Sequence, residues 1–242
     1  MAIEKIENKT LRHRVYEVLK EKMITAEILP GERISLRSLA KKLGVSLSPV
    51  REALLQLESE RIVVIESNKS IHVNNLTPDE MEEVLKIRIM LETLAAERAC
   101  DYRPDSLLPE IAGMLKKMRN SMDEPVVYLR HNQKFHFTIY RQAHAPILFD
   151  IISNLWMRIG PYIFLHARVR KDISVAMRHH QAIYDALAAR NKPRISKAIE
   201  DDLHTGAASM RNFLSSMDWN MENYWLKLKS NGEIPMQSAR LP

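Results

Sequence analysis

Four side chains in the second half of the chain have the types and spacing expected of a metal site. Asn132 and His136 are four residues apart, so both project from the same face of a helix. His180 and His204 lie on two later predicted helices. A helical bundle can direct side chains from facing helices at one internal ion, and three imidazoles with one oxygen donor suit zinc or another divalent transition metal. The spacing is also compatible with histidines that form ordinary hydrogen bonds in a core or on a surface.

A second group of residues, nearer the N-terminus, has the chemistry of DNA recognition. A helix-turn-helix needs a second helix whose first turns project polar and basic side chains into a major groove. Arg51 lies near the start of such a helix, and its guanidinium can bond O6 and N7 of guanine. Ser46, Ser48 and Arg37 are placed to hold phosphates, and Lys69 can reach a phosphate from a following hairpin. The alternative is that the serines only cap the helix and that Arg51 is a solvated surface residue.

The composition is that of an ordinary globular protein and excludes several classes. The 242 residues include 36 Lys and Arg, 30 Asp and Glu, and a single cysteine. One cysteine excludes a disulfide-stapled scaffold and a zinc cluster built from cysteine pairs. The first residues lack the apolar core of a signal peptide, and no apolar run approaches the length of a membrane span. We therefore expect a cytoplasmic protein without membrane contacts, whose net charge of +6 mildly favours a polyanionic partner.

The elements that must position the DNA-reading residues are three helices and a hairpin. Apolar positions at intervals of three and four predict helices over residues 10–26 and 35–43, with Gly44 as the C-terminal cap of the second. A third helix begins at residues 46–48. The β-branched run at 61–66, a polar turn and residues 71–73 then predict a hairpin. This order predicts a winged helix-turn-helix domain over residues 1–75.

The elements that must position the histidines form an all-α bundle, so the fold class is mainly α. Thr77, Pro78 and the acidic residues after them are typical of a helix start. The predicted helices of the bundle cover residues 77–99, 105–120, 125–144, 146–168 with a kink at Pro161, 171–190 and 194–216. Residues 76–216 are therefore expected to be an effector-binding and dimerisation domain, with 217–242 as a C-terminal extension.

Two stretches of the N-terminal region resemble the signature of the GntR family of bacterial transcription regulators. They are Pro30-Gly-Glu-Arg-Ile34 and Leu39-Ala-Lys-Lys-Leu-Gly-Val-Ser-Leu-Ser-Pro-Val-Arg-Glu-Ala-Leu54. In that family three arginines contact operator DNA, and Arg37 and Arg51 match the first and the third. Leu47 takes the position of the second, and a leucine there can contact the methyl group of thymine.

The helical remainder, to about Ser216, resembles the FadR-type effector domain, or FCD domain. Such domains commonly bind a metal through Asp or Asn with His four residues later, a His before an Ala-Ile pair, and a His near the end of the last bundle helix. Asn132 with His136, then His180, then His204 match this order, so the resemblance implies these four ligands.

Arg88 resembles the pocket arginine of FCD domains, which precedes a Leu-Glu pair. The resemblance implies that its guanidinium faces the metal and pairs with a carboxylate effector. Helix spacing alone also allows a surface ion pair with Glu92, which is the acidic residue four positions later.

Two functions from different classes follow. The first is a homodimeric transcriptional regulator, expected to be a repressor, that binds a palindromic double-stranded DNA operator and senses a small organic acid through a divalent metal. The second is a metal-dependent enzyme that uses the histidine cluster and carries the N-terminal module as an appendage. A general base, a phosphate loop and a nucleophile elbow are not recognisable in the sequence, which favours the regulator and predicts no enzymatic activity.

Overall fold

The computed structural model describes residues 11–67, 70–169 and 174–215, and it begins with three helices followed by a two-stranded sheet. The elements are α1 (Leu11–Ile24), α2 (Leu36–Leu43), α3 (Leu47–Ser59), β1 (Val63–Ile65) and β2 (Ile71–Val73). α1 and α2 both pack against α3, and α3 continues into β1. This arrangement confirms the predicted winged helix-turn-helix.

Two residues at the ends of α2 set the turn between α2 and α3. The hydroxyl of Ser35 accepts a hydrogen bond from the backbone N–H of Ser38 at 3.3 Å and so caps the helix. At the other end, Gly44 has a φ of 65°, in the left-handed region that ends helices and favours glycine. The chain therefore leaves α2 sharply and enters α3 only three residues later.

The wing is an antiparallel hairpin that is attached to the loop before α2. Val63 pairs with Val73 and Ile65 with Ile71. The backbone N–H of Ile34 donates to the carbonyl of Ile71 at 2.7 Å, which adds the preceding loop to the hairpin edge. The wing is thus held against the helices by backbone hydrogen bonds.

The rest of the described chain is a bundle of long helices. They are α4 (Pro78–Tyr102), α5 (Leu107–Asn120), α6 (Pro125–Arg141), α7 (Pro146–Val169), α8 (Ser174–Ala188) and α9 (Lys192–Ser215). α4 starts with a reciprocal capping box between Thr77 and Glu80. α7 contains Pro161 and continues through it as one helix. The all-α prediction is confirmed, with helix ends within about three residues of those predicted. The predicted extension at 217–242 lies outside the described residues.

Two arginines fix the ends of α4 and α8 to each other. Arg103 follows α4 and donates to the carbonyls of Leu187 (3.0 Å) and Ala188 (2.8 Å) at the end of α8. Arg190 follows α8 and donates to the carbonyl of Cys100 (2.8 Å) near the end of α4. Carbonyl groups at the end of each helix therefore accept hydrogen bonds from an arginine that follows the other helix.

Helix α7 joins the bundle to the N-terminal domain. It packs on α1, where Gly160 lies so close to Ile24 that an added Cβ would be 3.1 Å from the Ile24 Cγ2 atom. The hydroxyl of Tyr162 accepts from the backbone N–H of Leu76 and donates to Asn75 Oδ1, each at 2.8 Å. The segment between the two domains is thus held by one tyrosine of α7. None of the described helices combines the length and the hydropathy that a membrane span requires.

Candidate functional site

A buried cluster of two histidines and one aspartate lies between three helices of the bundle. His136 comes from α6, His180 from α8 and Asp202 from α9, and their potential ligand atoms all lie within 4.8 Å of one another. The Nε2 atom of His136 is 3.3 Å from Asp202 Oδ2, and the Nε2 atom of His180 is 3.6 Å from Asp202 Oδ1. Two predicted ligands are therefore brought together, and both direct the same ring nitrogen at one carboxylate.

The third member of the cluster is Asp202, whereas the sequence analysis predicts His204 as the ligand from this helix. On α9, Asp202 lies three residues after Ile199 and seven after Ile195, both of which are buried core residues. His204 follows two residues later, about 200° around the helix, and is exposed. Counting the helical period from the two isoleucines would have identified Asp202 as the residue that faces the interior.

A chain of hydrogen bonds fixes the orientation of His136. Tyr140, one turn later on α6, donates its hydroxyl proton to Glu92 Oε2 at 2.8 Å. Burial, reinforced by Glu92, raises the pKa of this phenol, so the hydroxyl retains its proton. The Tyr140 oxygen lies 3.1 Å from His136 Nδ1 and must accept from it. A neutral His136 therefore carries its proton on Nδ1 and presents the Nε2 lone pair to Asp202.

Two lone pairs that face each other at this distance repel, so a cation is needed between His136 and Asp202. Either a proton on Nε2 or a metal ion satisfies this requirement. A proton alone can serve His136.

His180 is held neutral by its surroundings. Its Nδ1 atom lies 3.2 Å from the hydroxyl of Tyr128. Burial lowers the pKa of the His180 imidazole to about 4, although the Asp202 carboxylate acts in the opposite direction. Within the described part of the chain, the buried Nε2 atom has no hydrogen-bond partner.

Asp202 is the ionised member of the cluster, with a side chain only 12% exposed. Burial alone would raise the pKa of its carboxyl group, but the imidazoles of His180 and His136 outweigh that effect and hold the pKa below its ordinary value. The cluster therefore combines one carboxylate with the neutral imidazole of His180 and the ring of His136.

Asn132 offers a fourth potential ligand, an amide oxygen, on the same side of α6 as His136. Its Oδ1 atom is buried and has no hydrogen-bond partner among the described residues. An acceptor of this kind is costly to bury unless a donor or cation meets it. Two imidazole nitrogens, one carboxylate and one amide oxygen form a donor set that fits a divalent transition metal.

Arg88 lies inside the bundle, connected to the same network. Its Nε atom donates to Glu92 Oε1 at 2.6 Å, and both side chains are almost completely buried. Trp156 of α7 donates from Nε1 to the same Glu92 oxygen at 3.0 Å, and its ring lies 4.4 Å from the Arg88 Cζ atom. The pair with Glu92 that the spacing allowed is thus present, but it is an internal ion pair and not a surface one.

The predicted DNA-reading residues that fall within the described part of the chain are all on the surface of the N-terminal domain. Arg37, Ser46, Leu47, Ser48 and Arg51 are all exposed. Ser46 stands at the N-cap of α3, where its side chain makes no capping hydrogen bond. Lys69 lies outside the described residues.

These features define a class of protein: a winged helix-turn-helix whose third helix exposes an arginine, joined to a helical bundle with an internal His and Asp cluster. The sequence profile of bacterial regulatory proteins of the gntR family matches residues 11–73, and that of the FCD domain matches residues 83–205. The chain therefore belongs to the GntR family of bacterial transcription regulators, in the group with an FCD domain.

Individual relatives agree with this assignment. The HTH-type transcriptional regulator McbR of Escherichia coli (strain K12) is 29% identical over 192 residues, covering 78% of this chain and 86% of the relative. The gluconate operon transcriptional repressor of Bacillus licheniformis is 27% identical, covering 78% of this chain and 80% of the relative. These relatives are transcription regulators, and they lend no support to the alternative of a metal-dependent enzyme.

Solved structures show the same architecture. The structure of E. coli McbR/YncC superposes with a TM-score of 0.80 at 25% identity, covering 86% of this chain and all of that one (100%). A GntR regulator from Rhodococcus sp. RHA1 has a TM-score of 0.70 at 20% identity, covering 85% and 98%, and shows the fold alone. The chain is thus a transcription regulator of the GntR and FCD type.

Proposed function

We propose that this protein is a homodimeric repressor that binds a palindromic operator through α3 and the wing, and whose bundle binds a divalent metal together with a small organic acid. The observation that carries the proposal is the buried His136, His180 and Asp202 cluster in a chain that also has an exposed DNA-reading helix. Its relatives include the gluconate operon repressor and the repressor RspR of E. coli (strain K12), which supports repression as the mode of regulation.

Arg51 is the proposed base-reading residue. It is exposed and lies one turn into α3, where a recognition helix meets base edges. Arg37, Ser46 and Ser48 are proposed to hold phosphates around it. One such helix makes few base contacts, so two copies related by a two-fold axis and a palindromic site are expected.

The operator-binding test compares the full-length protein with Arg51→Ala on a duplex selected from random sequences. Loss of a bidentate guanine contact is expected to cost about 1 to 3 kcal/mol per half-site. Affinity should also fall steeply with salt, because phosphate contacts release counterions. Unchanged binding by Arg51→Ala would mean that another residue reads the operator.

His136, His180, Asp202 and Asn132 are the proposed metal ligands, with Asp202 in place of His204. The hydroxyls of Tyr140 and Tyr128 hold the Nδ1 side of the two rings, which leaves both Nε2 atoms directed inward. A bound divalent ion supplies positive charge and a position that a carboxylate can occupy. Since Asp202 is the only charged ligand of the set, the ion would retain a charge of about +1, which favours an anionic effector.

The metal test uses matched substitutions on α9. Asp202→Ala is expected to abolish stoichiometric zinc binding, as measured by elemental analysis after dialysis, whereas His204→Ala should retain it. The two residues are two positions apart on one helix, so the comparison separates the ligand from its exposed neighbour. The opposite pattern, with metal lost in His204→Ala and kept in Asp202→Ala, would restore the original assignment.

Arg88 is proposed to act on the effector from beside the cluster. Its bond to Glu92 uses Nε, so neither terminal amino group takes part in that bond. The guanidinium is linked to His136 through Glu92 and Tyr140, which places both on one continuous network. A small carboxylate between the ion and Arg88 would place its negative charge next to both the ion and the guanidinium.

The proposed dimer contact is an apolar surface on α4 and α7, two helices that pack on each other. Met90 and Leu94 of α4 are 66% and 46% exposed, and Ile147 and Ile151 of α7 are 76% and 46% exposed. Each pair is four residues apart and so forms a stripe on its helix. The double variant Met90→Glu with Leu94→Glu should sediment as a monomer at micromolar concentration, whereas Lys116→Glu on α5 should remain dimeric.

A further inference from the structure

Three exposed side chains form a stripe along the outer face of α3. Leu47 is 41% exposed, Leu55 is 49% exposed, and Arg51 between them is exposed as well. They are spaced four residues apart, so they rotate by only about 40° from one to the next. The buried residues of α3, which are Val50, Ala53, Leu54 and Leu57, form the adjacent face of the helix.

The position of Leu47 is not explained by packing. It is the first residue of α3, and it is more exposed than any leucine of the hydrophobic core. The hydroxyl of Ser48 beside it is directed to Glu52 Oε1 at 3.1 Å. At the end of the recognition helix that meets the bases, the structure therefore offers an apolar side chain next to the cation of Arg51.

We propose that Leu47 is a specificity-determining residue that reads the 5-methyl group of a thymine in each operator half-site. This inference rests on the proposed operator binding. The methyl group of thymine is the apolar group that the four standard base pairs present in the major groove. Leu47 and Arg51 are about 6 Å apart along the helix axis, so the thymine lies within about two base pairs of the guanine that Arg51 reads.

The same side chain discriminates against G·C pairs at that position. A leucine has no donor or acceptor, so it offers a G·C pair no hydrogen bond, and the apolar contact is lost because that pair lacks the methyl group. At this position of the half-site, the apolar contact with the methyl group favours a T·A pair, and the lack of that contact disfavours a G·C pair.

The test removes only the methyl group. The full-length protein selects an operator from random-sequence duplexes, and each thymine of the selected site is then replaced by deoxyuridine, one symmetric pair at a time. At one thymine position, affinity should fall about fourfold per half-site, the factor that corresponds to burial of one methyl group. Leu47→Ala should respond to that same replacement by less than about twofold, because the partner of the methyl group has been removed.

Leu55→Ala is the matched control, since it removes the same atoms from an exposed leucine of the same helix. Leu55 lies about 12 Å along the axis from Leu47, away from the end that meets the bases, so the fourfold loss should persist in this variant. Wild-type binding that is unaffected by deoxyuridine at every thymine would overturn the inference while leaving the operator-binding function intact. Equal sensitivity in Leu47→Ala would also overturn it. Failure to select any duplex would overturn both.

Discussion

His180 is expected to make the folded protein less stable as the pH falls below the ordinary pKa of an imidazole. Burial lowers the pKa of its imidazole to about 4, whereas in the unfolded chain the pKa takes its ordinary value of 6.5. Between these values the unfolded state binds a proton that the folded state excludes. Stability therefore decreases as the pH falls through the unfolded pKa, and the decrease ends near the folded pKa.

The magnitude follows from the separation of the two pKa values. One pKa unit corresponds to about 1.4 kcal/mol, so the metal-free protein should lose about 2 kcal/mol between pH 7 and pH 5 through this residue alone. The loss reaches about 3 kcal/mol at pH 4. Asp202 does not contribute between pH 7 and pH 5, because its carboxyl group is ionised there in both the folded and the unfolded state.

The assay is urea unfolding at pH 7, 6 and 5 in the presence of a chelator. His180→Gln removes the titrating group, so its free energy of unfolding should vary by about 2 kcal/mol less than that of the wild type over this range. His204→Gln, which removes an exposed histidine from α9, should behave like the wild type. The reasoning would be refuted by equal pH dependence in the wild type and His180→Gln, or by an NMR titration of His180 with a midpoint near 6.5.

Three further predictions concern the contacts around the site, each measured by urea unfolding at pH 7. Glu92→Gln leaves the buried charge of Arg88 without its carboxylate and should lower the free energy of unfolding by about 3 kcal/mol. A decrease of less than about 1 kcal/mol would contradict the internal ion pair. Tyr162→Phe deprives the backbone N–H of Leu76 of its acceptor and should cost about 1 to 3 kcal/mol, with no change expected if the linker is held by other contacts. Arg103→Ala removes two hydrogen bonds to the end of α8 and should cost about 2 to 3 kcal/mol, whereas an unchanged midpoint would mean that water replaces them.

The N-terminal domain was predictable because its signals are local. Ser35 and Gly44 cap the same short helix, and the chain can turn into α3 only where they allow it. The helix ends differed by a few residues, since capping and fraying are decided by individual hydrogen bonds. A hairpin was indicated by β-branched residues on both sides of a polar turn, and the register follows from that turn.

The cluster of His136, His180 and Asp202 was predictable only in part, because its members come from three helices. His136 and His180 were identified among the four predicted ligands, but His204 was chosen by its match to a motif and not from the rotation of α9 in the bundle. That rotation is set by Ile195 and Ile199, which turn Asp202 inward and His204 to the solvent. An error of two residues on a helix moves a side chain to the opposite face, so a motif match without the core period is ambiguous there.

The network around Arg88 shows a different limit. Helix spacing indicated Glu92 as its partner, but the same spacing is found in surface pairs and in buried ones. Burial depends on Tyr140 and Trp156, which are 48 and 64 residues away from Glu92 in the sequence and both donate to it. Local patterns carry no information about such contacts.

Helix α7 is the element that connects the cluster with the DNA-reading domain. Trp156 contacts the Glu92 network, and its ring lies 5.8 Å from that of His136. Gly160, one turn later, touches α1, and Tyr162 holds the linker at Leu76. Trp156, Gly160 and Tyr162 lie within about two turns of one helix, so a displacement of α7 at Trp156 would reach both contacts if this part of the helix moves as one unit. A ligand can use this connection only if it binds two positions of α7 with different affinity, so regulation of operator binding requires differential contacts at the cluster itself.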